Sequence, residues 1–361
     1  MIFTMPTLLY QEENCVAAHA KKLCTLGSRA LIVTGKSSSK KNGALSDVTA
    51  ALESGGVCFE LFDEIEENPS VETVMKAAEK GRCFGADFVV GIGGGSPLDA
   101  AKAVALMVKN ADKDSDFLCR NVPAAALPVA AVPTTCGTGS EVTAISVLTV
   151  HSRRTKASIP HRIFPALALV DGKYLEGAPV GIIRSTAVDA LCHLVESRLS
   201  AKSDEYSRMC SDSGLLVFAQ CRSALEAGVF SRNDLDRLMT ASAMAGMAIS
   251  LTGTTVPHGL SYRVTYELGI PHGKAAGMFL GGFLAQAPEA DREAVLALAG
   301  FSSVEDYERF FAAVCPPEKV SDSVISDAVS DLLANPAKLN GASFPISRGV
   351  LERIAERAVR A

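Results

Sequence analysis

Short apolar runs separated by helical patterns fill the first half of the chain. The runs are rich in Val, Ile and Phe and end in Gly, Thr or Asp, which is typical of parallel strands covered on both faces. They occupy residues 30–35, 57–62, 87–95, 127–135 and 166–172, and residues 71–81 and 96–110 between them have the helical period. This alternation predicts a doubly wound, mostly parallel α/β sheet whose ligands bind beyond the carboxyl ends of the strands.

The pattern changes near residue 180. Residues 181–361 contain no convincing strand pattern and predict consecutive helices, the clearest at 185–200, 207–228, 235–250 and 258–269. A chain of 361 residues also favours two domains. We therefore expect an α/β domain at 1–180 and an all-α domain at 181–361, with a boundary near the Gly-Ala-Pro at 177–179.

Composition narrows the function classes. The net charge of −5 does not indicate the basic surface that nucleic-acid binding requires. No apolar run is long enough to span a bilayer. The first residues lack the pattern of a signal peptide. The ten cysteines are scattered without a C-x-x-C pair, which is typical of reduced thiols in the cytoplasm. We expect a cytoplasmic protein with no nucleic-acid or membrane partner.

The first chemical motif is a glycine-rich loop within residues 91–105. A Val-rich run leads into glycines at 93–95, followed by Ser96 at the expected helix N-cap, Pro97 at the first helical position and Asp99 at the third. Free backbone N–H groups at such a helix start suit a pyrophosphate. The alternative is a tight strand–helix turn that binds no ligand.

A second loop, at residues 133–143, also follows an apolar run. It places the hydroxyl groups of Thr134, Thr135, Thr138 and Ser140 around two further glycines. Alone it is an ordinary Gly/Thr loop. At the same edge of the same sheet as the first loop, it is suited to the remainder of a dinucleotide.

One carboxylate and three imidazoles in the second half suggest a metal site. Asp189 and His193 are spaced i, i+4, so on a helix they share one face. His258 and His272 each stand between Pro and Gly, and the 14 residues separating them are either four helical turns or one helix and a returning loop. This donor set suits Fe²⁺ or Zn²⁺ rather than Ca²⁺ or Mg²⁺. The alternative, that each histidine caps a helix or packs in a core, is preferred for the remaining three, His19, His151 and His161.

Together these motifs resemble the iron-containing (group III) alcohol dehydrogenases, whose superfamily includes glycerol dehydrogenase and dehydroquinate synthase. The matching segments are GGGSPLDAAKAVA, PTTCGTGSEVT, DALCH and IPHG followed by AAG, in order and in register. The resemblance covers nearly the whole chain and weakens after about residue 285. It implies a dehydroquinate synthase-like fold, an oxidoreductase acting on CH–OH groups with NAD or NADP and Fe²⁺ or Zn²⁺, and a homo-oligomer such as a dimer.

The resemblance also implies roles for particular residues. The metal ligands would be Asp189, His193, His258 and His272. The cofactor pyrophosphate would be surrounded by Gly94, Gly95, Ser96 and Asp99. The nucleotide cleft would be lined by Thr134, Thr135 and Thr138, and Lys156 would reach the cofactor from the domain edge. The family's loop after the second strand is matched by Asn68 and Pro69.

Two positions depart from the family in the catalytic half. Ala187 stands where the family often has glycine, and Tyr262 stands where many members have a histidine that moves protons. A phenol can relay a proton, although its usual pKa of about 10 makes it a poorer base at neutral pH. A cofactor ribose hydroxyl or a water molecule is the alternative relay.

A third departure concerns the cofactor. Many NAD-preferring members have an acidic residue after the first strand, where this chain has Gly35 followed by Lys36. An acidic group there binds the ribose 2′-hydroxyl and repels a 2′-phosphate. This acidic residue is absent, and Lys40 and Lys41 follow closely in the sequence, so the choice between NAD and NADP stays open. The lysines are also typical of a solvated helix start.

The implied reaction is hydride transfer between the nicotinamide and a short alcohol or aldehyde in a cleft between the domains, with the metal as Lewis acid. Residues 257–273 look more like branches that act on aldehydes with an anionic end, such as phosphonoacetaldehyde or succinic semialdehyde, and Arg263 or Arg184 could face that end. The alternative for both arginines is that they form surface ion pairs.

Two other functions remain open from the sequence. They are a Zn²⁺-dependent polyol dehydrogenase of the glycerol type and a catalytically silent nucleotide- or metal-binding protein. A lyase of the dehydroquinate synthase type is disfavoured by the lack of basic residues for its substrate.

Overall fold

The computed structural model describes residues 3–151 and 155–360, which form two compact units. The α/β unit comprises residues 4–135 and 139–178. The helical unit comprises Phe3, residues 136–138 and everything described after residue 178. The three residues 136–138 come from the second Gly/Thr loop, so this loop contributes to both units.

The α/β unit contains a six-stranded parallel sheet and a separate antiparallel pair. The strands are β1 (Leu8–Gln11), β2 (Arg29–Gly35), β3 (Cys58–Ile65), β4 (Phe88–Gly93), β5 (Val129–Pro133), β6 (Val147–Val150), β7 (Thr155–Ser158) and β8 (Leu167–Val170). The order in the sheet is β1-β8-β5-β4-β2-β3, and β6 pairs with β7. All five predicted strands are present, and the predicted parallel sheet is confirmed.

The sheet is buried on both faces, as the continuous apolar runs predicted. Leu31 and Val33 of β2 pack into one hydrophobic cluster, whereas Ala30 and Ile32 pack into the other. Successive strand residues point to opposite faces, so an almost wholly apolar strand fills two cores at once. Every residue of β4 is buried.

Six helices accompany this sheet: α1 (Cys15–Ala18), α2 (Ala20–Cys24), α3 (Ser38–Lys41), α4 (Ala44–Ser54), α5 (Val71–Phe84) and α6 (Gly95–Lys109). The start of α6 corrects one prediction, because its N-cap is Gly94 rather than Ser96 and Pro97 is its third residue. Gly93 has φ 148°, and a Cβ there would lie 2.5 Å from the Pro97 ring. The turn is therefore tighter than a serine cap at position 96 would give.

After β2 the chain forms β3 on one side of β2 and then β4 on the other side of it. The strand order therefore reverses between β2 and β4, which is the topological switch point of the sheet. Four strands of the sheet end at this edge and lead into predicted cofactor residues. Gly35 closes β2, Asn68 follows β3, Gly94 follows β4 and Thr134 follows β5. The sheet thus brings together residues that are far apart in the sequence.

The helical unit consists of α7 (Val180–Arg198), α8 (Glu205–Ala227), α9 (Arg232–Thr252), α10 (Val256–Leu268), α11 (His272–Gln286), α12 (Glu289–Leu298), α13 (Val304–Val314), α14 (Asp322–Leu333), α15 (Pro336–Leu339) and α16 (Arg348–Arg360). Between residues 179 and 360 the only β pairing is an isolated bridge of Ser200 with Ala342, which confirms the predicted all-α half. Across the described ranges, none of the helices combines the length and hydropathy that a bilayer crossing requires. All ten cysteines lie within these ranges as free thiols.

Candidate functional site

The first half of the metal constellation lies on α7. Its central residues are buried from Ala187 to Ser197, and Asp189 and His193 are only 3% and 5% exposed. One helical turn separates them, so both side chains project from the same face, as predicted. A carboxylate and an imidazole this deeply buried require partners.

His258 and His272 both lie in the first turn of a helix. Pro257 is the second residue of α10, and Pro271 is the N-cap of α11, so each proline occupies a place where its missing N–H is harmless. The helix that carries His258 ends at Leu268, and the chain then returns to begin α11 at His272. Of the two geometries open from the sequence, the structure has one helix and a returning turn.

The glycine after each histidine allows a close approach. A Cβ on Gly273 would lie 2.0 Å from the Ser185 carbonyl oxygen and 2.7 Å from Asp189 Cβ. A Cβ on Gly259 would lie 2.6 Å from the Leu332 side chain. The repeated Pro-His-Gly pattern thus combines a helix start, a proposed ligand and a close contact. At Gly273 this contact is with backbone and leaves no room for a side chain, and it puts His272 beside Asp189.

The four predicted ligands are brought together. One ligand atom each from Asp189, His258 and His272 lies within 4.8 Å of the others, and the His193 ring stacks on the His258 ring with centroids 4.4 Å apart. Asp189 Oδ1 lies 3.3 Å from His258 Nε2 and 4.0 Å from His272 Nε2. Asp189 Oδ1 and His258 Nε2 are buried, yet neither makes a hydrogen bond.

This arrangement passes a test of fit to a divalent metal. Asp189 Oδ1 and His258 Nε2 face each other at 3.3 Å in a buried place, and either a divalent ion or a proton on the ring can supply the positive charge that such a pair needs. The donors are imidazole nitrogen and carboxylate oxygen, the set that Fe²⁺ and Zn²⁺ bind. The residues therefore fit the group that the sequence motifs predicted.

The far nitrogen of two rings is already engaged. His193 Nδ1 donates to the Gly137 carbonyl at 3.3 Å, and His258 Nδ1 is hydrogen-bonded to Glu196 Oε2. Gly137 belongs to the segment 136–138 of the helical unit. In both rings this leaves Nε2 as the ligand atom, which is the usual role of such outer partners.

In the absence of a metal, the pKa values of His193, His258 and Asp189 reflect the charges and the burial of the cluster. Burial lowers the pKa of His193 to about 4. Burial has the same tendency at His258, but the carboxylates of Glu196 and Asp189 outweigh it and raise the pKa of that ring to about 10. Although burial opposes it, the three imidazoles hold the pKa of Asp189 well below its usual range. The carboxylate is therefore ionised and ready to bind a cation.

Glu196 is a residue of the candidate site that the sequence motifs did not indicate. It is fully buried and three residues beyond His193 on α7, and it contacts the start of α10. The signal that could have found it is the i, i+3 spacing from a ligand on a helix that is apolar around it. Nothing local indicates its partners, because His258 is 62 residues away in the sequence.

Tyr262 lies beside the cluster, and a lysine accompanies it. The Tyr262 ring is nearly parallel to the His272 ring, with centroids 6.0 Å apart. Lys338 Nζ lies 5.5 Å from the centre of the Tyr262 ring and donates to the Thr254 carbonyl at 3.0 Å and to the Thr254 hydroxyl. Burial raises the pKa of the Tyr262 phenol, but Lys338 and His258 outweigh it and lower that pKa overall. Lys338 lies where the family resemblance had weakened.

The two arginines suggested for an anionic substrate have other partners. Arg263 forms ion pairs with Asp331 at 2.7 Å and Glu267 at 3.1 Å. Arg184 donates to the carbonyls of Leu225 and Glu226 near the end of α8, at 2.8 and 2.7 Å. The alternative of a surface ion pair thus describes Arg263, and Lys338 is the cation beside Tyr262.

The remaining histidines make ordinary contacts. His161 is buried and bonds the Phe117 carbonyl at 2.9 Å, and His19 pairs with Glu12 and stacks on Tyr10. His151 is exposed.

In the α/β unit the two glycine loops touch. Thr134 N donates to the Gly93 carbonyl at 2.9 Å, and a Cβ on Gly94 would lie 3.0 Å from the Thr135 side chain. Gly94, Gly95 and Ser96 form the start of α6, whose first N–H groups have no intrahelical acceptor. The backbone therefore presents the donors that an anion needs.

Asn68 links the third strand to this region. Its backbone is left-handed, with φ 57°, a conformation that Asn tolerates better than most residues. Asn68 N donates to Ser96 Oγ at 3.0 Å, and Lys156 Nζ donates to Asn68 Oδ1 at 2.6 Å. Burial lowers the pKa of Lys156 to about 8, with Glu67 opposing it. Three predicted cofactor residues are thus in one hydrogen-bonded group.

Asp99 has a different environment from the one its motif suggested. Its carboxylate accepts from Ser140 Oγ at 2.5 Å and from Val147 N at 2.8 Å, so it binds the second loop. Lys102, fully buried one turn later, donates to Ser140 Oγ and to the Ile145 carbonyl, both at 2.7 Å. The two side chains fasten the second loop to α6.

The end of β2 carries the residues that bear on cofactor choice. Gly35 is half-buried, and Lys36 is exposed beyond it. Lys40 forms an ion pair with Asp63 at 2.5 Å. Of these side chains, Lys36 is therefore the less constrained candidate for a 2′-phosphate. Thr138, the remaining predicted residue, belongs to the segment 136–138 of the helical unit.

Comparison with known proteins identifies the family. Residues 6–172 match the family model described as "Iron-containing alcohol dehydrogenase", and residues 183–340 match that of "Fe-containing alcohol dehydrogenase family, C-terminal". The chain belongs to the iron-containing alcohol dehydrogenases. The predicted family is confirmed, and this family binds iron and NAD(P).

Several named relatives and solved structures are similar along the chain. A sulfoacetaldehyde reductase from Bilophila wadsworthia is 32% identical over 252 residues, 69% of this chain and 65% of that protein. An NADPH-dependent butanol dehydrogenase from Clostridium saccharobutylicum is 30% identical over 78% of this chain and 72% of its own length. A crystal structure of an iron-containing alcohol dehydrogenase from Thermotoga maritima is 36% identical with a TM-score of 0.91, covering 100% of this chain and 99% of that one.

A sulfoacetaldehyde reductase from Bifidobacterium kashiwanohense, solved with NAD⁺, is 26% identical with a TM-score of 0.88, covering 99% of this chain and 98% of that one. The relatives described here are alcohol dehydrogenases and aldehyde reductases, that is, oxidoreductases acting on CH–OH groups.

Proposed function

We propose that this chain is a metal-dependent, NAD(P)-linked alcohol dehydrogenase that also reduces the corresponding aldehydes. The observation that carries the proposal is the pair of buried atoms Asp189 Oδ1 and His258 Nε2, which are 3.3 Å apart without a hydrogen bond. Such a pair needs a positive charge between its members, which a proton on His258 supplies in the metal-free protein and a metal ion would supply in the loaded one. The family supports the reaction class, and the pair supports the dependence on a metal.

The helical unit would hold the metal through Asp189, His193, His258 and His272. Fe²⁺ and Zn²⁺ both suit these donors. Either ion, when bound, supplies Lewis-acid chemistry that polarises a substrate oxygen. The contribution of the chain is to orient the imidazoles of His193 and His258 through their Nδ1 partners, beside an Asp189 carboxylate that is only 3% exposed.

The α/β unit would hold the dinucleotide at the carboxyl edge of its sheet. The start of α6 offers backbone N–H groups to the pyrophosphate, and the threonines after β5 offer hydroxyls. The residues proposed for this role are Gly35, Lys36, Asn68, Gly94, Gly95, Ser96, Asp99, Thr134, Thr135, Thr138 and Lys156. Asp99 would act indirectly, because its carboxylate is bonded to Ser140 and Val147.

Tyr262 would hold or pass the proton that the alcohol loses and the aldehyde gains. Its ring is nearly parallel to that of His272, a proposed ligand, with centroids 6.0 Å apart. Tyr262 stands at the position where many family members have a histidine that moves protons. A phenol can both donate and accept at the same oxygen.

We further propose a short aldehyde with an anionic end as the preferred substrate. Lys338 supports this, because it brings an ammonium group to Tyr262, 5.5 Å from the ring centre. Two of the relatives are named sulfoacetaldehyde reductases, which supports the same substrate class. A polyol of the glycerol type offers no charge for this lysine.

The test is a steady-state assay of the full chain, stripped of metal and reloaded anaerobically with Fe²⁺ or Zn²⁺. Oxidation of NADH and of NADPH is followed with sulfoacetaldehyde, phosphonoacetaldehyde, succinic semialdehyde and butyraldehyde, and the reverse reaction with glycerol and propanediols. We expect turnover only after metal loading, with the highest kcat/KM for an anionic aldehyde, and none in His272→Ala. A preference for glycerol would contradict the substrate proposal. Nucleotide binding without turnover under every condition would indicate a silent binding protein.

A further inference from the structure

Glu196 is a buried carboxylate that no motif assigned. It lies on α7, three residues after His193 and seven after Asp189, and is 0% exposed. A carboxylate in such a place is strongly destabilising unless its oxygens accept hydrogen bonds. Each of its two oxygens has its own set of partners.

One oxygen caps α10. Oε1 accepts from the backbone N–H groups of Thr255 at 3.3 Å and His258 at 3.1 Å, and from the Thr255 hydroxyl at 3.4 Å. The N-cap residue Thr255 makes no side-chain cap of its own. Glu196 therefore satisfies helix N–H groups that otherwise have no acceptor, and its negative charge lies at the favourable end of the helix dipole.

The other oxygen bonds a metal ligand. Oε2 is hydrogen-bonded to His258 Nδ1, while Nε2 of the same ring faces Asp189 Oδ1 at 3.3 Å. An ionised carboxylate can only accept, so the hydrogen must be on Nδ1. Nε2 is then the nitrogen that gives up its proton when a metal ion binds, and its lone pair faces the metal position.

We propose that Glu196 is a positioning residue that fixes the tautomer and orientation of His258 for metal binding. The inference rests on the metal site of the proposed function. One carboxylate joins two tasks: it determines where α10 begins and which nitrogen of His258 faces the ion. Outer partners of this kind commonly contribute 10–100-fold to metal affinity.

Glu196→Gln separates the two tasks. The amide oxygen of glutamine can still accept from the backbone N–H groups of Thr255 and His258, so the cap is kept. Its –NH₂ group then faces His258 Nδ1 and donates to it, which moves the ring hydrogen to Nε2. The nitrogen that should bind the metal then carries a hydrogen, and metal binding requires this hydrogen bond to break.

The experiment measures Zn²⁺ affinity of the full chain by competition with a chromophoric chelator, together with the absorption spectrum of the Co²⁺-loaded protein. We expect Glu196→Gln to weaken Zn²⁺ binding by about 10–100-fold and to alter the Co²⁺ ligand-field bands, while the metal-free protein still unfolds cooperatively. The matched control is Asp204→Asn, the same carboxylate-to-amide change at the N-cap of α8, where Asp204 accepts from Ser207 N. This control should bind Zn²⁺ as the wild type does.

Wild-type Zn²⁺ affinity in a folded Glu196→Gln protein would overturn the inference and leave the proposed function intact, since a cap alone predicts that result. Failure of the wild-type chain to bind Zn²⁺ would instead overturn the proposed function, and the inference with it. If Glu196→Gln does not fold, Glu196→Asp carries the test. That carboxylate is one methylene too short to serve both sets of partners, so we expect about tenfold weaker binding, and unchanged affinity would overturn the inference.

Discussion

At the scale of single residues, the hydrogen-bond partners of His193 and His258 decide which nitrogen of each ring is left for a ligand. The Gly137 carbonyl engages Nδ1 of His193, and Glu196 engages Nδ1 of His258. Both rings consequently present Nε2. A ring held on one side by an acceptor loses little freedom when it binds on the other side, which favours tight and specific metal binding.

Tyr262→Phe tests the proposed proton path. Removing the hydroxyl leaves the ring and its stacking on His272 in place, so metal and nucleotide affinity should be unchanged. Proton transfer by a positioned side chain contributes about 10²–10⁴-fold, and we expect kcat to fall by roughly 10²-fold with an altered pH profile. The control is Tyr266→Phe, an exposed tyrosine one turn later on α10. Equal kcat in both variants would assign the proton to another group.

Gly35→Asp tests the explanation of cofactor choice. A carboxylate at the end of β2 would accept from a ribose 2′-hydroxyl and repel a 2′-phosphate. We expect the ratio of kcat/KM for NADH to that for NADPH to rise by about tenfold, which corresponds to ~1.4 kcal/mol of free energy. Gly181→Asp adds the same charge where a Cβ meets open space in the helical unit, and its ratio should equal that of the wild type. An unchanged ratio in Gly35→Asp would place the ribose elsewhere.

At this scale the sequence predicted the ligands but not what holds them. Asp189 and His193 share a helical period, and His258 and His272 share a Pro-His-Gly pattern, so local order was enough. Glu196 and Lys338 have partners 59 to 84 residues away. Their roles depend on tertiary contacts that no spacing encodes.

At the scale of elements, α7 and α11 meet without a side chain between them. Gly273 lies where a Cβ would be 2.0 Å from the Ser185 carbonyl of α7. Main-chain contact of this kind fixes the separation of the two helices more strictly than packed side chains do, because no rotamer can adjust. The distance from His272 to Asp189 follows from it.

Gly273→Ala should therefore damage both stability and the metal site. The added methyl group must push α11 from α7, and overpacking of this kind destabilises by about 1–3 kcal/mol. We expect a lower Tm and Zn²⁺ affinity reduced by at least tenfold. Gly349→Ala, on α16, is the matched change at a glycine whose nearest neighbour is the flexible Arg353 side chain at 3.7 Å. If Gly273→Ala bound Zn²⁺ as tightly as that control, the close approach would not determine the site.

A second element-scale device fastens α6 to the loop after β5. Lys102 is fully buried, and its three acceptors in this loop are Ser140, Thr143 and the Ile145 carbonyl. Asp99 lies 3.7 Å from its amino group. The loop that carries the proposed nucleotide-binding hydroxyls is thus hydrogen-bonded to α6 through both Lys102 and Asp99.

Lys102→Met should loosen that loop. It leaves Asp99 with a buried charge that has lost its counterion, a change that destabilises by about 3–5 kcal/mol. We expect a reduced free energy of unfolding in denaturant titrations and weaker NADPH binding in fluorescence titrations. Lys109→Met removes an exposed lysine from the same helix and should change neither quantity. Nucleotide affinity equal to the wild type in Lys102→Met would separate the loop from the nucleotide site.

The elements that the sequence predicted are those with strong local patterns. Five strands had almost continuous apolar runs, and they are all present. The strand β1, Leu8–Gln11, is half exposed at the sheet edge, and β6 and β7 are four-residue strands of mixed polarity. These were missed because their pairing, rather than their composition, makes them strands. The cap of α6 was misplaced because three successive glycines allow more than one start.

At the scale of the whole molecule, the chain divides its chemistry between two kinds of architecture. A parallel sheet offers backbone donors and hydroxyls at one edge, which suits an anionic nucleotide. A helical unit offers side chains at fixed spacing on neighbouring helices, which suits a metal. The fold class and family could be predicted because four motifs were in register, whereas the substrate preference that we propose rests on a single side chain, Lys338, which tertiary contacts bring to Tyr262.

The most direct test of the central claim is anomalous X-ray diffraction from crystals of the full chain loaded with Zn²⁺, recorded on both sides of the zinc absorption edge. We predict one strong anomalous peak per chain, within bonding distance of Asp189, His193, His258 and His272, and absent in Asp189→Asn crystals. A peak bound by other residues, or no peak in wild-type crystals at saturating Zn²⁺, would contradict the assignment of these four side chains as the metal site.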